Sequence, residues 1–123
     1  MASPKLVAVV DDDESVRESL PELLRSFGLE VEAFASADEY LASGAVERTD
    51  CLVLDVSMPG MSGLELQLEL ARRKHAIPIV FITAHSDERV RPTVLKRGAV
   101  AYLIKPFSET AILEAINAGL AKG

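Results

Sequence analysis

Five short apolar runs constrain this chain more than any other feature: "LVAVV" (6–10), "LEVEAF" (29–34), "CLVL" (51–54), "IPIVFI" (77–82) and "VAYLI" (100–104). Four of them are nearly unbroken. An unbroken run this short suits a strand buried on both faces, as in a parallel sheet covered by helices. The exception is "LEVEAF", where Glu30 and Glu32 alternate with Val31, Ala33 and Phe34. That alternation fits a half-exposed strand at a sheet edge.

Helix-forming segments fill the gaps. "ESVRESLPELLRSF" (14–27) places Val16, Leu20, Leu23, Leu24 and Phe27 on one face, with Gly28 as the C-terminal stop. "SADEYLAS" (36–43) opens with Ser36 and has Glu39 three residues on, the pattern of a capping box. In "SGLELQLELARRK" (62–74), leucines at 64, 66, 68 and 70 mimic strand alternation. Its length and strong helix formers favour a helix. A helix cannot bury all four leucines, so either Leu64 and Leu68 or Leu66 and Leu70 must be partly exposed. "SDERVRPTVLKRG" (86–98) and "SETAILEAINAGL" (108–120) complete the set, the last with Ser108 as a candidate cap. Two prolines disturb the pattern. Pro21 is expected on the polar side of its helix, where a kink is tolerable. Pro92 means either that its helix starts late, with the proline in the first turn, or that the helix bends there.

Strand and helix therefore alternate five times, which predicts an α/β domain with a parallel sheet and right-handed crossovers. The 123 residues and 49% apolar content suit one globular domain with a core of its own. The net charge of −6 argues against nucleic-acid binding by this domain itself. Cys51 is the single cysteine, so no internal disulfide can form, and its place in "CLVLD" suits a buried hydrophobe. No apolar segment approaches the ~20 residues of a membrane span. The opening "MASPK" is too short and polar for a signal peptide, so a cytoplasmic location is the expectation.

In folds of this class, ligands bind beyond the carboxyl ends of the strands, where strand order reverses. Asp11 and Asp12 follow the first run, Asp55 ends the third, Thr83 follows the fourth, and Lys105 with Pro106 follows the fifth. Each has a plainer use when taken singly: an acidic run caps a helix, an Asp makes a turn, a Thr caps, and Lys-Pro makes a loop. Their convergence on one rim is what those uses do not predict. Three carboxylates together need a cation. Hard oxygen ligands without His or Cys suit Mg²⁺, which keeps several waters and prefers one or two carboxylates plus phosphate oxygens. Lys105 supplies a point charge and Thr83 a neutral donor for such oxygens. The set describes a phosphoryl-transfer site, and the absence of a glycine-rich cradle argues against a bound nucleotide. With no Ser/His/Asp or Cys/His arrangement evident, a carboxylate nucleophile is the economical choice.

These residues resemble the receiver domain of two-component response regulators. "VAVVDDD", "LVLDVSMPGMSG", "IVFITAH" and "YLIKPF" carry the likeness over essentially the whole chain, and "VEAFASADEYL", "MPGMSGLELQ" and "GAVAYLIKPF" resemble the FixJ-like branch. The resemblance implies a flavodoxin-like (βα)5 fold with a doubly wound five-stranded parallel sheet in the order 2-1-3-4-5. It implies that Asp55 is phosphorylated, that Asp12 ligates Mg²⁺ directly with Asp11 acting through water, and that the Ser57 backbone carbonyl is a further ligand. Thr83 and Lys105 would contact the phosphoryl group, and the Lys105–Pro106 peptide would be cis. Tyr102 matches the aromatic switch position, whose ring turns inward as the threonine is drawn to the phosphoryl group. Ser57 and His85 occupy positions that tune phosphate lifetime.

The same resemblance implies a sensor histidine kinase as phosphodonor, self-catalysed phosphorylation and dephosphorylation, homodimerisation on phosphorylation, and control of an output, with transcription expected. Residues 1–123 would be one receiver domain, with a linker or truncation point near 121–123. Such proteins generally carry a C-terminal DNA-binding domain, absent from this chain; the chain is read either as a stand-alone receiver or as part of a longer protein. Two rivals remain at this point. A haloacid dehalogenase-type phosphatase also uses an aspartyl-phosphate, and Asp11 and Asp13 form a D-x-D pattern, but no Asp follows Lys105. A degenerate receiver would serve only as an interaction module, though its acidic pocket or lysine would normally be damaged.

Overall fold

The computed structural model describes residues 4–84 and 89–122. Strands β1 (Leu6–Val10), β2 (Glu30–Phe34), β3 (Cys51–Asp55), β4 (Ile79–Thr83) and β5 (Ala101–Ile104) form one parallel sheet in the order β2-β1-β3-β4-β5. They alternate with helices α1 (Glu14–Arg25), α2 (Ala37–Ala42), α3 (Gly63–Arg72), α4 (Val90–Lys96) and α5 (Glu109–Lys122). A 3-10 turn at Val46–Arg48, not anticipated from the sequence, leads into β3. The doubly wound topology implied by the motifs is the observed one.

The three central strands are buried at every position, as their unbroken apolar runs require. Side chains alternate across the sheet and feed two separate cores. Ala8, Val10, Leu52 and Leu54 face α2, α3 and α4 through Tyr40, Leu66, Leu70 and Val94. Val7, Val9, Cys51 and Val53 face α1 and α5 through Leu20, Leu24, Ile112 and Ile116. Edge strand β2 shows the expected mixture, with Val31 and Phe34 buried and Glu30 exposed. The other edge strand, β5, departs from its uniformly apolar sequence: Tyr102 is buried, but Ile104 is 43% exposed. Lys105 thus extends from an edge strand and not from a near-central one.

Local chemistry sets the helix ends. Asp13 caps α1, its Oδ1 accepting hydrogen bonds from the Ser15 amide (2.9 Å) and hydroxyl (2.7 Å). Those bonds hold its carboxyl below the usual range. Ser36 caps α2 by accepting from Glu39 N at 3.1 Å. The full capping box is found instead on α3, where Ser62 and Glu65 each accept from the other's amide. Ser108 caps α5, accepting from Ala111 N at 3.0 Å.

The leucine ambiguity resolves as helix geometry demands: Leu66 and Leu70 are at most 1% exposed, Leu64 is half-buried, and Leu68 is 50% exposed. Two expectations need correction. Phe27 lies past the end of α1 and is 59% exposed, because the helix closes at Arg25 and the chain turns through Gly28 at φ 84°. Pro21 is buried, not on the polar side; it follows Leu20 on the inward face and the helix runs through it. Pro92 sits in the first turn of a late-starting α4. The expected helical residues 86–88 lie outside the described residues, as does His85.

The two leucine environments predict different costs. Leu66→Ala should destabilise the fold by about 3 kcal/mol through lost burial and a residual cavity. Leu68→Ala should stay within about 0.5 kcal/mol. Urea unfolding of both variants, followed by circular dichroism, measures the contrast.

Candidate phosphoryl-transfer site

Strand register builds the site. Val10 pairs with Leu54 across β1 and β3, so the next residues, Asp11 and Asp55, emerge side by side. Asp55 pairs with Ile82, placing Thr83 one step further along β4. Carboxylate oxygens of Asp11, Asp12 and Asp55 all lie within 4.8 Å of one another. Asp11 is fully buried, Asp55 is 5% exposed, and Asp12 faces solvent.

Backbone and side-chain contacts fix this rim. Asp11 N donates to Phe34 O (3.1 Å), and Asp11 Oδ1 accepts from Asp13 N (2.9 Å). Lys105 Nζ stands 2.8 Å from Asp11 Oδ2, although that oxygen has no aligned hydrogen-bond partner among the described residues. Lys105 N donates to Thr83 O at 2.7 Å, and the Lys105–Pro106 peptide is cis, as the motif implies. Thr83 is buried at the end of β4. The structure therefore brings together Asp11, Asp12, Asp55, Thr83 and Lys105. Ser57 lies two residues past Asp55, exposed in the loop before α3. Tyr102, in β5, packs in the core shared with Phe81 and Val94; its ring is turned inward and its buried hydroxyl has no partner among the described residues.

Two supporting residues were not singled out from the sequence. Arg17 Nη1 donates to the Asp11 backbone carbonyl at 3.0 Å, so α1 braces the loop bearing the acidic pair. Its position a few residues beyond the acidic run was the available signal. Gly63, the first residue of α3, donates its N–H to Val56 O (2.9 Å), and a Cβ there would overlap the Asp55 carbonyl oxygen. The close approach, not a positive φ, demands glycine. Only the fold reveals it, since a glycine at a helix start reads as ordinary.

The neighbouring carboxylates oppose the ionisation of Asp55. Burial first, then the Asp11 charge, pushes the Asp55 carboxyl up to about 7, with Lys105 offsetting part of the rise. The arrangement presents clustered hard oxygens beside a lysine and a threonine. A cation completes its charge balance, and the donor set suits magnesium better than a softer metal.

The model for the response regulator receiver domain matches residues 7–117. The chain belongs to the response regulator receiver family. Nodulation protein W of Bradyrhizobium diazoefficiens is 52% identical over 92% of this chain and 50% of its own length. The transcriptional regulatory protein FixJ of Rhizobium meliloti is 43% identical over 90% of this chain and 54% of its own. Among solved structures, FixJ-N superposes with a TM-score of 0.86 at 38% identity, covering 98% of this chain and 96% of that one. The FixJ-like resemblance of the motifs is thus met. The chain spans about half the length of the curated relatives it matches. No helix among the described residues is long and apolar enough to cross a membrane.

The charge crowding makes a stability prediction. The folded-state value of Asp55 lies above its ordinary 3.8, so its ionisation opposes folding: the penalty is absent below 3.8, grows through the interval up to about 7, and is constant above. In metal-free buffer at about pH 8, Asp55→Asn should stabilise the receiver by roughly 2 kcal/mol, the gain shrinking toward about pH 5. Thermal melts in EDTA across that range check the sign. Mg²⁺ should stabilise the unaltered receiver more than the variant.

Proposed function

We propose that this receiver accepts a phosphoryl group on Asp55 from a sensor histidine kinase and uses it to switch an output surface. The observation that carries the reading is the buried Asp55 carboxylate held among Asp11, Asp12 and Lys105. Asp11, Asp12, Asp55 and the Ser57 backbone carbonyl would hold Mg²⁺, which would neutralise the carboxylates and the incoming phosphoryl oxygens. The chain's own residues do the rest by position and charge. An Asp55 oxygen attacks phosphorus, and the bond from phosphorus to the donor nitrogen, or to an acyl oxygen when a small acyl phosphate is the donor, breaks. Lys105 begins on Asp11 and can turn its ammonium toward a new phosphoryl oxygen, since both anions lie within its reach. Thr83, next to it through the Lys105 N–Thr83 O bond, offers its hydroxyl to another. Water later attacks phosphorus, the bond from phosphorus to the Asp55 oxygen breaks, and inorganic phosphate leaves with Asp55 returned as a carboxylate.

The switch follows from the same contacts. Thr83 ends β4 and Tyr102 lies on neighbouring β5, so a threonine drawn to the phosphoryl group alters the packing beside the ring. The surface of α4, β5 and α5 would then favour homodimerisation and act on an output through a C-terminal DNA-binding domain; control of transcription as that output accords with the name of FixJ, a transcriptional regulatory protein. We place the protein in the cytoplasm, with residues 1–123 as one receiver domain. Neither rival gains support: Glu109 and Glu114 lie exposed on α5, away from the acidic cluster a phosphatase would extend, and the acidic pocket and lysine of a working receiver are intact.

Incubation with acetyl phosphate and Mg²⁺ should add one phosphoryl group per chain, visible by intact-mass spectrometry and absent in Asp55→Ala. Modification that survives Asp55→Ala, or none in the unaltered chain, would overturn the assignment. Sustained turnover of an aryl phosphate would favour the phosphatase reading.

A further inference from the structure

We infer that a groove at the opposite pole of the sheet binds a small organic anion, an oxyanion head on a short apolar body. The groove opens at the amino ends of β4 and β5, whereas the acidic cluster lies at the carboxyl ends. Its volume of about 430 Å³ falls within the ~300–1,000 Å³ of small-ligand sites. The floor is apolar, made by Leu70, Ile77, Pro78, Ile79, Ala99 and Val100. The rim carries Lys74, Arg97 and Lys122, all exposed. Among the described residues no side-chain carboxylate lines the groove, although acidic residues outnumber basic ones 19 to 13 in the chain.

Among the described residues these three cations hold no acid, as is also true of Lys96 beside Arg97, and what sets them apart is that they gather around one apolar floor. Arg48 pairs with Glu32, Arg72 and Arg73 both pair with Glu69, and Lys105 pairs with Asp11. Lys74, Arg97 and Lys122 form no ion pair among the described residues. An anion with an apolar tail complements both parts of the groove, whereas a neutral apolar molecule would leave the cationic rim unmatched.

The backbone of Lys74 supplies a second argument. Helices α1, α3 and α4 end in the same pair of hydrogen bonds. In α1 they run from Gly28 N to Arg25 O and Leu29 N to Leu24 O; in α4, from Gly98 N to Leu95 O and Ala99 N to Val94 O. In α3 they run from Lys74 N to Ala71 O and His75 N to Leu70 O. The residue at the turn must adopt positive φ, and α1 and α4 use glycine there, at 84° and 100°. Lys74 takes the same place at φ 63°, the one non-glycine with positive φ among the described residues. A lysine is disfavoured there relative to glycine. Its presence puts an ammonium on the groove rim at the expense of a less stable turn.

The test needs no phosphodonor or Mg²⁺, so its outcome is independent of the Asp55 reading. The full chain would be titrated with sodium hexanoate at low ionic strength, following backbone amides by NMR, with hexanol as the neutral counterpart. Hexanoate should cause saturable shifts centred on residues 74–79 and 97–100, at roughly millimolar affinity, weakening as salt rises. Hexanol should bind about tenfold more weakly. Arg97→Gln and Lys74→Gly should each weaken hexanoate about fivefold, while Lys74→Gly raises the melting temperature. Equal shifts by hexanoate and hexanol would overturn the inference, as would shifts spread over the surface or unchanged hexanoate affinity in both variants.

Discussion

Val10 and Leu54 are register partners in adjacent buried strands, and that pairing forces Asp11 and Asp55 into each other's company whatever their charges prefer. The backbone ladder and the two cores hold β1 and β3 in place; the carboxylates have no freedom to separate. Coulomb repulsion at this distance is strong in a poorly hydrated setting, and the structure answers it with one partly buried ammonium from the sheet edge. One cation against three carboxylates leaves a net negative site. The resulting attraction for a divalent ion is a consequence of strand order, since only an order that sets β1 beside β3 and β4 beside β3 brings these strand ends together.

Much of this was legible before any coordinates. Unbroken apolar runs marked the buried strands because burial on both faces leaves no polar position. The acidic and basic residues at their ends identified the rim because parallel strands all finish on the same side. Other features depended on details that periodicity does not encode. Phe27 carries the right spacing for the inner face of α1, yet the helix ends two residues earlier and the turn throws it outward. Pro21 reads as a helix breaker best kept outside, but its ring lies on the buried face beside Leu20. The run before Lys105 is as apolar as a central strand, because an edge strand covered by helices on both faces can carry the same composition.

The supporting shell was the least legible part. Arg17 braces Asp11 through a backbone carbonyl, so no complementary residue type in the sequence reveals the contact. Gly63 is required by the close approach of the backbone at the end of β3, eight residues earlier in the chain. Both act on the placement of the carboxylates and neither contributes chemistry of its own. A list of reactive side chains therefore understates how many positions the site constrains.

Resistance to movement is also distributed unevenly. The central strands are anchored in two cores, but α4 is seven residues long and buries only Val94. Gln67 of α3 reaches across with its Nε2 donating to Val94 O at 3.2 Å, while its Oε1 is buried with no partner among the described residues. The Tyr102 hydroxyl beside this region is likewise buried, with no partner among the described residues. An unpaired buried polar atom has a desolvation cost of about 1–3 kcal/mol, which any rearrangement offering water or a partner would recover. So the described part of α4 buries little, and two polar atoms beside it, Tyr102 Oη on β5 and Gln67 Oε1 on α3, have no partner among the described residues. Thr83 at the end of β4 pairs with Ile104, the exposed residue of β5, whereas β3 on its other side is buried throughout. The asymmetry of the packing gives a local change at Asp55 a preferred direction in which to spread.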